Sequence, residues 1–312
     1  MLLHVVHETR YEYTPPVETA QHMAHLKPLD LPTQSLRSFR LGIDPVPAQQ
    51  TETLDVYGNS RTFFSLQAAH ETLAVVAESV VSTLPPALPV DNPPWEQVRE
   101  HFRYHAGAAW NAAAEFAFPS PYVPRHDDFL AYARPSFGAG VPLLLGARHL
   151  MERIHAEFTY ESESTQVSTP AREALAQRKG VCQDFAHIMI ACLRALGLPA
   201  RYVSGYLLTN PPPGQPRLVG SDASHAWVSV YVPAEDGSGG MWCDLDPTNN
   251  RAPGEDYVSL AMGRDYSDVS PMRGVIHGGR RHTLQVAVTV EPLAEPYAAP
   301  ANNDDQHPEE AA

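Results

Sequence analysis

The chain has 312 residues, of which 43 % are hydrophobic, and its 22 lysines and arginines stand against 36 aspartates and glutamates, a formal charge of −14. This length suits about two domains, and the strong negative charge disfavours nucleic acid and anionic membranes as partners. The first eight residues are too short and polar for a signal peptide and no run approaches a membrane span, so a soluble cytoplasmic protein with reduced thiols is expected.

Residues 1–84 contain short alternating or β-branched runs at 54–57, 62–66 and 73–81, separated by Pro, Asn, Asp and Gly. This pattern is typical of antiparallel strands, and it predicts an N-terminal β domain. The Pro-rich residues 85–94 are interpreted as a linker, after which apolar residues recur at helical spacing from Trp95.

Three further helices are predicted in the second domain after the one that begins at Trp95. The first covers residues 142–158, and the second begins at Thr169 and Pro170, as N-cap and first helical residue, and ends near 180. The third begins at Cys182, and its apolar residues recur at i, i+3, i+4, i+7, i+8 and i+11 before Gly197 and Pro199 end it.

Strands are predicted at residues 201–208, 225–232 and 241–246, so the second domain, residues 95–280, combines helices with an antiparallel sheet. The fold class is therefore α+β, a helical and antiparallel β core preceded by an antiparallel β domain. A C-terminal strand within 281–297 could return to either sheet, and the polar residues 298–312 are expected to be disordered.

Cys182, His225 and Asp246 are the candidate catalytic residues. A thiol reacts as its thiolate, which the first turn of a helix stabilises, and a histidine can take its proton and return it to a leaving amine. If the last two of those three strands pair as a hairpin in which paired residue numbers sum to 471, His225 lies opposite Asp246, within reach of a hydrogen bond. Asp246 would then orient the imidazole.

The same register places Trp227 opposite Asp244. Together with Gln183, these two residues are candidates for the oxyanion hole or the substrate cleft, beside the backbone N–H of Cys182. Asp244 is also the most credible substitute for Asp246, and packing remains the alternative role for Trp227.

Other reactive side chains receive structural interpretations. Cys192 and Cys243 belong to apolar faces and are expected in the core, and His187 points about 140° away from Cys182 around a helix. The spacing of these side chains does not suit a metal, no phosphate-binding loop is present, and we predict neither metal nor cofactor.

Several motifs resemble the core of bacterial transglutaminase-like proteins, namely residues 178–187, 194–206, 224–228, 242–249 and 263–269. Residues 55–59 resemble the β domain that precedes this core in many bacterial members. The resemblance implies a papain-like core with a Cys-His-Asp triad, in a superfamily that includes cysteine peptidases, amidases and enzymes that transfer a glutamine acyl group to an amine.

We therefore expect a cysteine hydrolase that cleaves a peptide or amide bond of a peptide or protein substrate through a thioester. The alternatives are a protein-glutamine transglutaminase, in which an amine replaces water, and a non-catalytic module that holds peptides in the same cleft. The intact triad argues against the last. The sequence leaves the substrate and the oligomeric state open.

Overall fold

The structure is a computed structural model that describes residues 1–107, 110–161, 169–209, 223–234 and 239–294. The strands in these ranges are β1 Leu2–Ala24, β2 Gln34–Asp44, β3 Gln49–Leu54, β4 Ser60–Leu66, β5 His70–Thr83, β6 Thr159–Tyr160, β7 Lys179–Gly180, β8 Ala200–Leu207, β9 Ala223–Pro233, β10 Gly240–Leu245, β11 Tyr257–Gly263, β12 Met272–Gly278 and β13 Arg281–Pro292. The α-helices are α1 Trp95–His101, α2 Asp127–Ala133, α3 Leu143–Glu157, α4 Ala171–Gln177, α5 Cys182–Ala195 and α6 Tyr266–Val269, with 3₁₀ helices at Ala112–Ala117 and Arg134–Ser136.

The long strand β1 organises the N-terminal sheet. It pairs antiparallel with β4, β5, β12 and β13, and β2 and β3 extend the sheet at its edges. Buried and more exposed residues alternate along the first half of β1, as expected for a strand with one face against a core. The antiparallel β domain predicted from the sequence is confirmed.

One predicted strand is wrong. Residues 54–57 were expected to be extended, but β3 ends at Leu54 and a turn follows. The Asp55 carboxylate accepts the backbone N–H groups of Tyr57 and Asn59, both within 2.9 Å. This local capture of backbone donors by an aspartate is typical of turns and competes with a strand ladder.

The C-terminal strand returns to the N-terminal sheet, where β13 pairs with β1 from Leu3 to Thr14. Strand β12 also pairs with β1, although it lies within residues 95–280, the range expected for the catalytic domain. The proposed boundaries at 84, 94, 280 and 297 stay predictions, and residues 298–312 lie outside the described residues.

Helix α5 lies at the centre of the second core. It packs on the sheet of order β10-β9-β8-β11 and against α2, α3 and α4, and most of its residues are buried. Gly197, with φ of +82°, ends it as predicted, because Gly197 N–H bonds to Arg194 O and Leu198 N–H to Leu193 O.

Helix α3 matches the predicted helix at 142–158. Helix α4 begins one residue later than expected, because Pro170 has an extended backbone and takes the N-cap position predicted for Thr169. Arg178, in the left-handed conformation, ends α4, and β7 then pairs with β6 and leads into α5. The chain therefore reaches Cys182 from a short parallel ladder.

The two sheets share an apolar interface. Leu3, Val5, Val81, Val288 and Val290 of the N-terminal sheet meet Tyr206, Leu208, Val258 and Leu260 of the second sheet and its adjoining turn. Within this contact the buried imidazole of His7 hydrogen-bonds through Nδ1 to the Tyr206 hydroxyl at 2.8 Å. None of the helices in the described ranges is long and apolar enough to cross a membrane.

Candidate active site

The start of α5 is held by a local hydrogen bond. The backbone N–H of Val181, the N-cap residue, donates to the Asp184 carboxylate at 2.9 Å, and Asp184 is buried. A Cβ atom on Gly180 would lie 2.7 Å from the same carboxylate, so this position requires glycine. The sequence Gly-Val-Cys-x-Asp thus fixes Cys182 as the first helical residue.

Cys182 is partly exposed and lies beside the main core, and its side chain hydrogen-bonds to His225. Tyr160, at the end of β6, is 55 % exposed. Burial and the nearby groups Cys182 and Asp184 raise the pKa of the Tyr160 phenol. Tyr160 is therefore an exposed ring near the start of α5.

His225, on β9, is only 6 % exposed, and its Nε2 lies 2.7 Å from Oδ2 of the fully buried Asp246. Because Asp246 engages Nε2, Nδ1 is the ring nitrogen left available to the thiol. Burial opposes protonation of His225, but the hydrogen bonds with Asp246 and Cys182 and the charges of both outweigh it, raising the pKa of His225 above its usual range. The imidazolium form of His225 is thus stabilised by its contacts with Cys182 and the Asp246 carboxylate.

The Asp246 carboxylate is surrounded by donors. Besides His225, Oδ2 accepts Tyr257 O–H and Asn249 Nδ2–H, each at 2.7 Å, and Oδ1 accepts the backbone N–H groups of Thr248 and Asn249 at 2.8 and 3.2 Å. Burial favours the neutral acid, but the hydrogen bonds from His225, Asn249 and Tyr257 lower the pKa of Asp246. The group therefore stays an oriented anion.

The hairpin register differs from the prediction by two residues. Gly240 pairs with Pro233 and Asp244 with Ser229, so paired numbers sum to 473. Asp246 lies just beyond β10 and bridges to Arg251. A shift by two preserves the face on which each side chain lies, so Asp246 still reaches His225, but diagonally from beyond the strand end.

The other three candidate cleft residues lie in different surroundings. Trp227 is fully buried, and its indole N–H donates to Asp244 at 3.1 Å, so its ring presents no surface to a substrate. Asp244 faces Trp227 and not His225, and burial raises its pKa. Gln183 is partly exposed as the second residue of α5, and its role stays a prediction.

The remaining cysteines and His187 are packed in the interior. Cys192 is fully buried and Cys243 lies partly buried against the same core, and burial raises the pKa of both thiols. His187 is buried beside Tyr122 and accepts the backbone N–H of Tyr266 at 3.2 Å. The described ranges hold no group of three or more His, Cys, Asp or Glu placed to bind a metal ion.

Sequence reasoning missed four residues of the site. Asp184 occupies the N3 position of a capping pattern, but valine in place of serine or threonine hides it. Asn249 falls inside a recognised motif without an assigned role. Tyr160 and Tyr257 come from separate strands, and no spacing along the chain links them to Cys182 or Asp246.

Two family descriptions match the chain. The bacterial transglutaminase-like N-terminal region matches residues 3–82, and the transglutaminase-like superfamily matches residues 132–247. A Mycobacterium tuberculosis H37Rv protein, "Uncharacterized protein Rv2569c", is 42 % identical over 295 residues, which are 93 % of this chain and 92 % of that protein. A Mycobacterium leprae protein, "Uncharacterized protein ML0607", is 31 % identical over 94 % of this chain and 99 % of its own length.

A solved structure shares the fold. It is described as "a Putative Cysteine Protease from Cytophaga hutchinsonii", and it superposes with a TM-score of 0.72 at 22 % identity over 95 % of this chain and 92 % of that one. A transglutaminase-like core of mixed α/β structure, preceded by an antiparallel β domain, is thus the class that the fold defines. The chain belongs to the transglutaminase-like superfamily.

Proposed function

We propose that the protein is a cysteine hydrolase that cleaves peptide or amide bonds through a thioester. The observation that carries this proposal is the hydrogen-bonded series Cys182–His225–Asp246, in which Cys182 is partly exposed and the other two residues are buried. Burial of the pair protects its charges from water, while the partly exposed cysteine can meet a carbonyl carbon.

The reaction uses these side chains in two steps. Cys182 Sγ bonds to the carbonyl carbon, the C–N bond breaks, and His225 gives its proton to the departing amine. Water then attacks the thioester carbon while His225 takes a proton from that water, the C–S bond breaks, the carboxylic acid leaves, and Cys182 sulfur and His225 share the proton as before. The N–H of Cys182, in the first turn of α5, can donate to the oxyanion because helix N-terminal N–H groups have no partner four residues back.

The first test measures the reactivity of the thiol. Because the raised pKa of His225 keeps the imidazolium beside Cys182, we expect iodoacetamide to modify Cys182 at pH 6 nearly as fast as at pH 8. In His225→Ala the rate at pH 6 should fall at least tenfold. Cys243→Ala is the matched control, since it removes a partly buried thiol outside the site. Unselective labelling in both backgrounds would contradict the proposal.

The second test separates hydrolysis from acyl transfer. Peptide pools incubated in ¹⁸O-water should gain one ¹⁸O in each new carboxyl group, and a fluorescent primary amine supplied in the same reaction should stay unincorporated. Cys182→Ala should abolish ¹⁸O incorporation. Amine incorporation without ¹⁸O would make the protein a transglutaminase, and neither product from any pool would favour a peptide-binding module.

The proposed location and partners follow from the cysteines and the charge of the chain. We infer a cytoplasmic location, supported by three cysteines that are all free thiols. Peptides or proteins are the proposed partners, in keeping with the acidic charge that disfavours nucleic acid and anionic lipid.

A further inference from the structure

A large cavity lies far from Cys182, at the opposite end of α5. Its volume is about 1480 Å³, and it is lined by the end of α5, by α1, and by residues 102–105, 110–111 and 117–119. At 1.5 Å per residue, Ala195 on its wall is roughly 20 Å from Cys182 along the helix axis. The cavity is therefore separate from the candidate active site.

The charge of this cavity is opposite to that of the chain. Among the described residues that line it, five are arginines, namely Arg99, Arg103, Arg125, Arg134 and Arg194, and one, Glu100, carries a carboxylate. The whole chain carries 22 basic residues against 36 acidic ones. Such a local reversal concentrates anions at the cavity although the protein as a whole repels them.

The arginines differ in how they are engaged. The Arg194 guanidinium donates to the backbone carbonyls of Ala200, Phe118 and Arg264, so it has a structural role. Arg103 lies 3.5 Å from the Glu100 carboxylate.

Among the residues that the structure describes, the other three arginines have no such partner. Arg99 stacks over the Trp95 ring at 4.8 Å, a contact that leaves its N–H groups available. Within the described ranges, no carboxylate pairs with Arg99, Arg125 or Arg134. Their guanidinium groups offer planar, paired donors, which suit carboxylate, phosphate or sulfonate oxygens.

Aromatic rings supply the apolar part of the wall. Trp95, Phe102 and Phe137 line the cavity, and Trp110 and Phe118 lie in it with 79 % and 64 % of their surfaces exposed. A soluble protein rarely leaves several large rings exposed together unless they bind something. Rings beside arginines suit a ligand with a flat apolar body and an anionic end.

We propose that this cavity binds a small organic anion with an aromatic body. Arg125 and Arg134 take its anionic group, Arg99 assists from α1, and Trp110 and Phe118 cover the aromatic body. The site is independent of the proposed hydrolase chemistry, because it shares no residue with Cys182, His225 or Asp246.

The test uses 8-anilinonaphthalene-1-sulfonate, an aromatic anion whose fluorescence rises in apolar surroundings. We expect saturable binding to one site, weakened at least tenfold by the double change Arg125→Gln and Arg134→Gln. Both arginines are exposed, so the variant should fold. Arg281→Gln, on β13, is the matched control and should bind like the unmodified protein.

Competition defines the ligand class. 2-Naphthoate should displace the probe at far lower concentration than inorganic phosphate does, because phosphate lacks the ring. Trp110→Ala should weaken binding of the aromatic probe. It should leave the dissociation constant of phosphate, calculated from the competition, unchanged.

Three results would overturn the proposal. They are full binding by the double arginine variant, equal displacement by phosphate and naphthoate, and loss of binding after Cys182 is alkylated with iodoacetamide. The last would place the probe in the cleft of the candidate active site, whereas the hydrolase proposal can fail without affecting any of these measurements.

Discussion

Tyr257 and His225 donate to the same oxygen of Asp246, each at 2.7 Å. The phenol comes from β11 and the imidazole from β9, with β8 between them in the sheet. With Asn249 Nδ2 they are three donors on one oxygen, and this set holds the carboxylate beside the imidazole. We therefore propose that Tyr257 is a positioning residue for the candidate triad.

Tyr257→Phe removes one donor without changing the ring. We expect turnover to fall about tenfold, because a hydrogen bond to a charged group contributes about 1.5–3 kcal/mol and only part of that acts on the imidazole. Alkylation of Cys182 at pH 6 should also be slower in this variant. Tyr206→Phe is the matched control, since its hydroxyl bonds to His7 and not to the triad. Equal effects of the two variants would remove the positioning role.

Asp246→Ala should leave a slow enzyme. The loss of the carboxylate frees the imidazole to rotate and removes the charge that stabilises its protonated form, so the rate should fall about 10²- to 10⁴-fold. Asp244→Asn should stay within about threefold of the unmodified rate, because Asp244 bonds to Trp227. A large loss in Asp244→Asn alone would exchange the roles of the two aspartates.

Gly180→Ala should displace the start of α5. Its new Cβ would lie 2.7 Å from the Asp184 carboxylate, which must then release the Val181 N–H. We expect a loss of about 1–2 kcal/mol in the free energy of unfolding, typical of a lost cap, and slower alkylation of Cys182. At Gly138 an added Cβ meets only Val141 at 3.6 Å, so Gly138→Ala should change neither property. Urea unfolding and labelling rates measure both.

His7 should make the protein acid-sensitive. Burial lowers the pKa of His7 from 6.5 to about 4, so between these values the unfolded chain binds a proton that the folded protein does not. The stability is therefore full above pH 6.5 and falls toward pH 4, by up to about 3 kcal/mol at about 1.4 kcal/mol per pH unit. His7→Gln can still hydrogen-bond to Tyr206. Its free energy of unfolding, measured in urea, should fall less on acidification than that of the unmodified protein.

Other buried histidines, including His22 and His187, act in the same direction, so the difference between variants is the informative quantity. His277→Gln, at an exposed residue, should follow the unmodified protein across this pH range. If the free energy of unfolding of His7→Gln fell by the same amount on acidification as that of the unmodified protein, His7 would play no part.

Local patterns predicted the elements that carry the triad. Helix α5 follows from its apolar period and from Gly197, and β9 and β10 follow from their β-branched and aromatic runs. The start of α5 at Cys182 also agrees with the sequence. These features depend on residues close together in the chain, where spacing alone defines the geometry.

Features that depend on long-range pairing were not predictable. The register of β9 and β10 depends on where a Gly-rich loop closes, and no turn motif specifies that point. The turn at Asp55 depends on side-chain hydrogen bonds that compete with a strand. Tyr257 reaches Asp246 because a bulge-containing strand, β11, joins the far edge of the sheet, and nothing in its local sequence indicates that contact.

The pairing of β12 and β13 with β1 determines when the N-terminal sheet can be completed during synthesis. Strand β1 is synthesised before its neighbours from residues 272–292, which follow only after Cys182, His225 and Asp246 have been made. Until then one edge of β1 is unpaired, and apolar residues such as Leu3 and Val5 lack Val288 and Val290. A nascent chain stalled before residue 272 would thus expose an unpaired, apolar sheet edge. Chaperones or neighbouring nascent chains could bind to this edge.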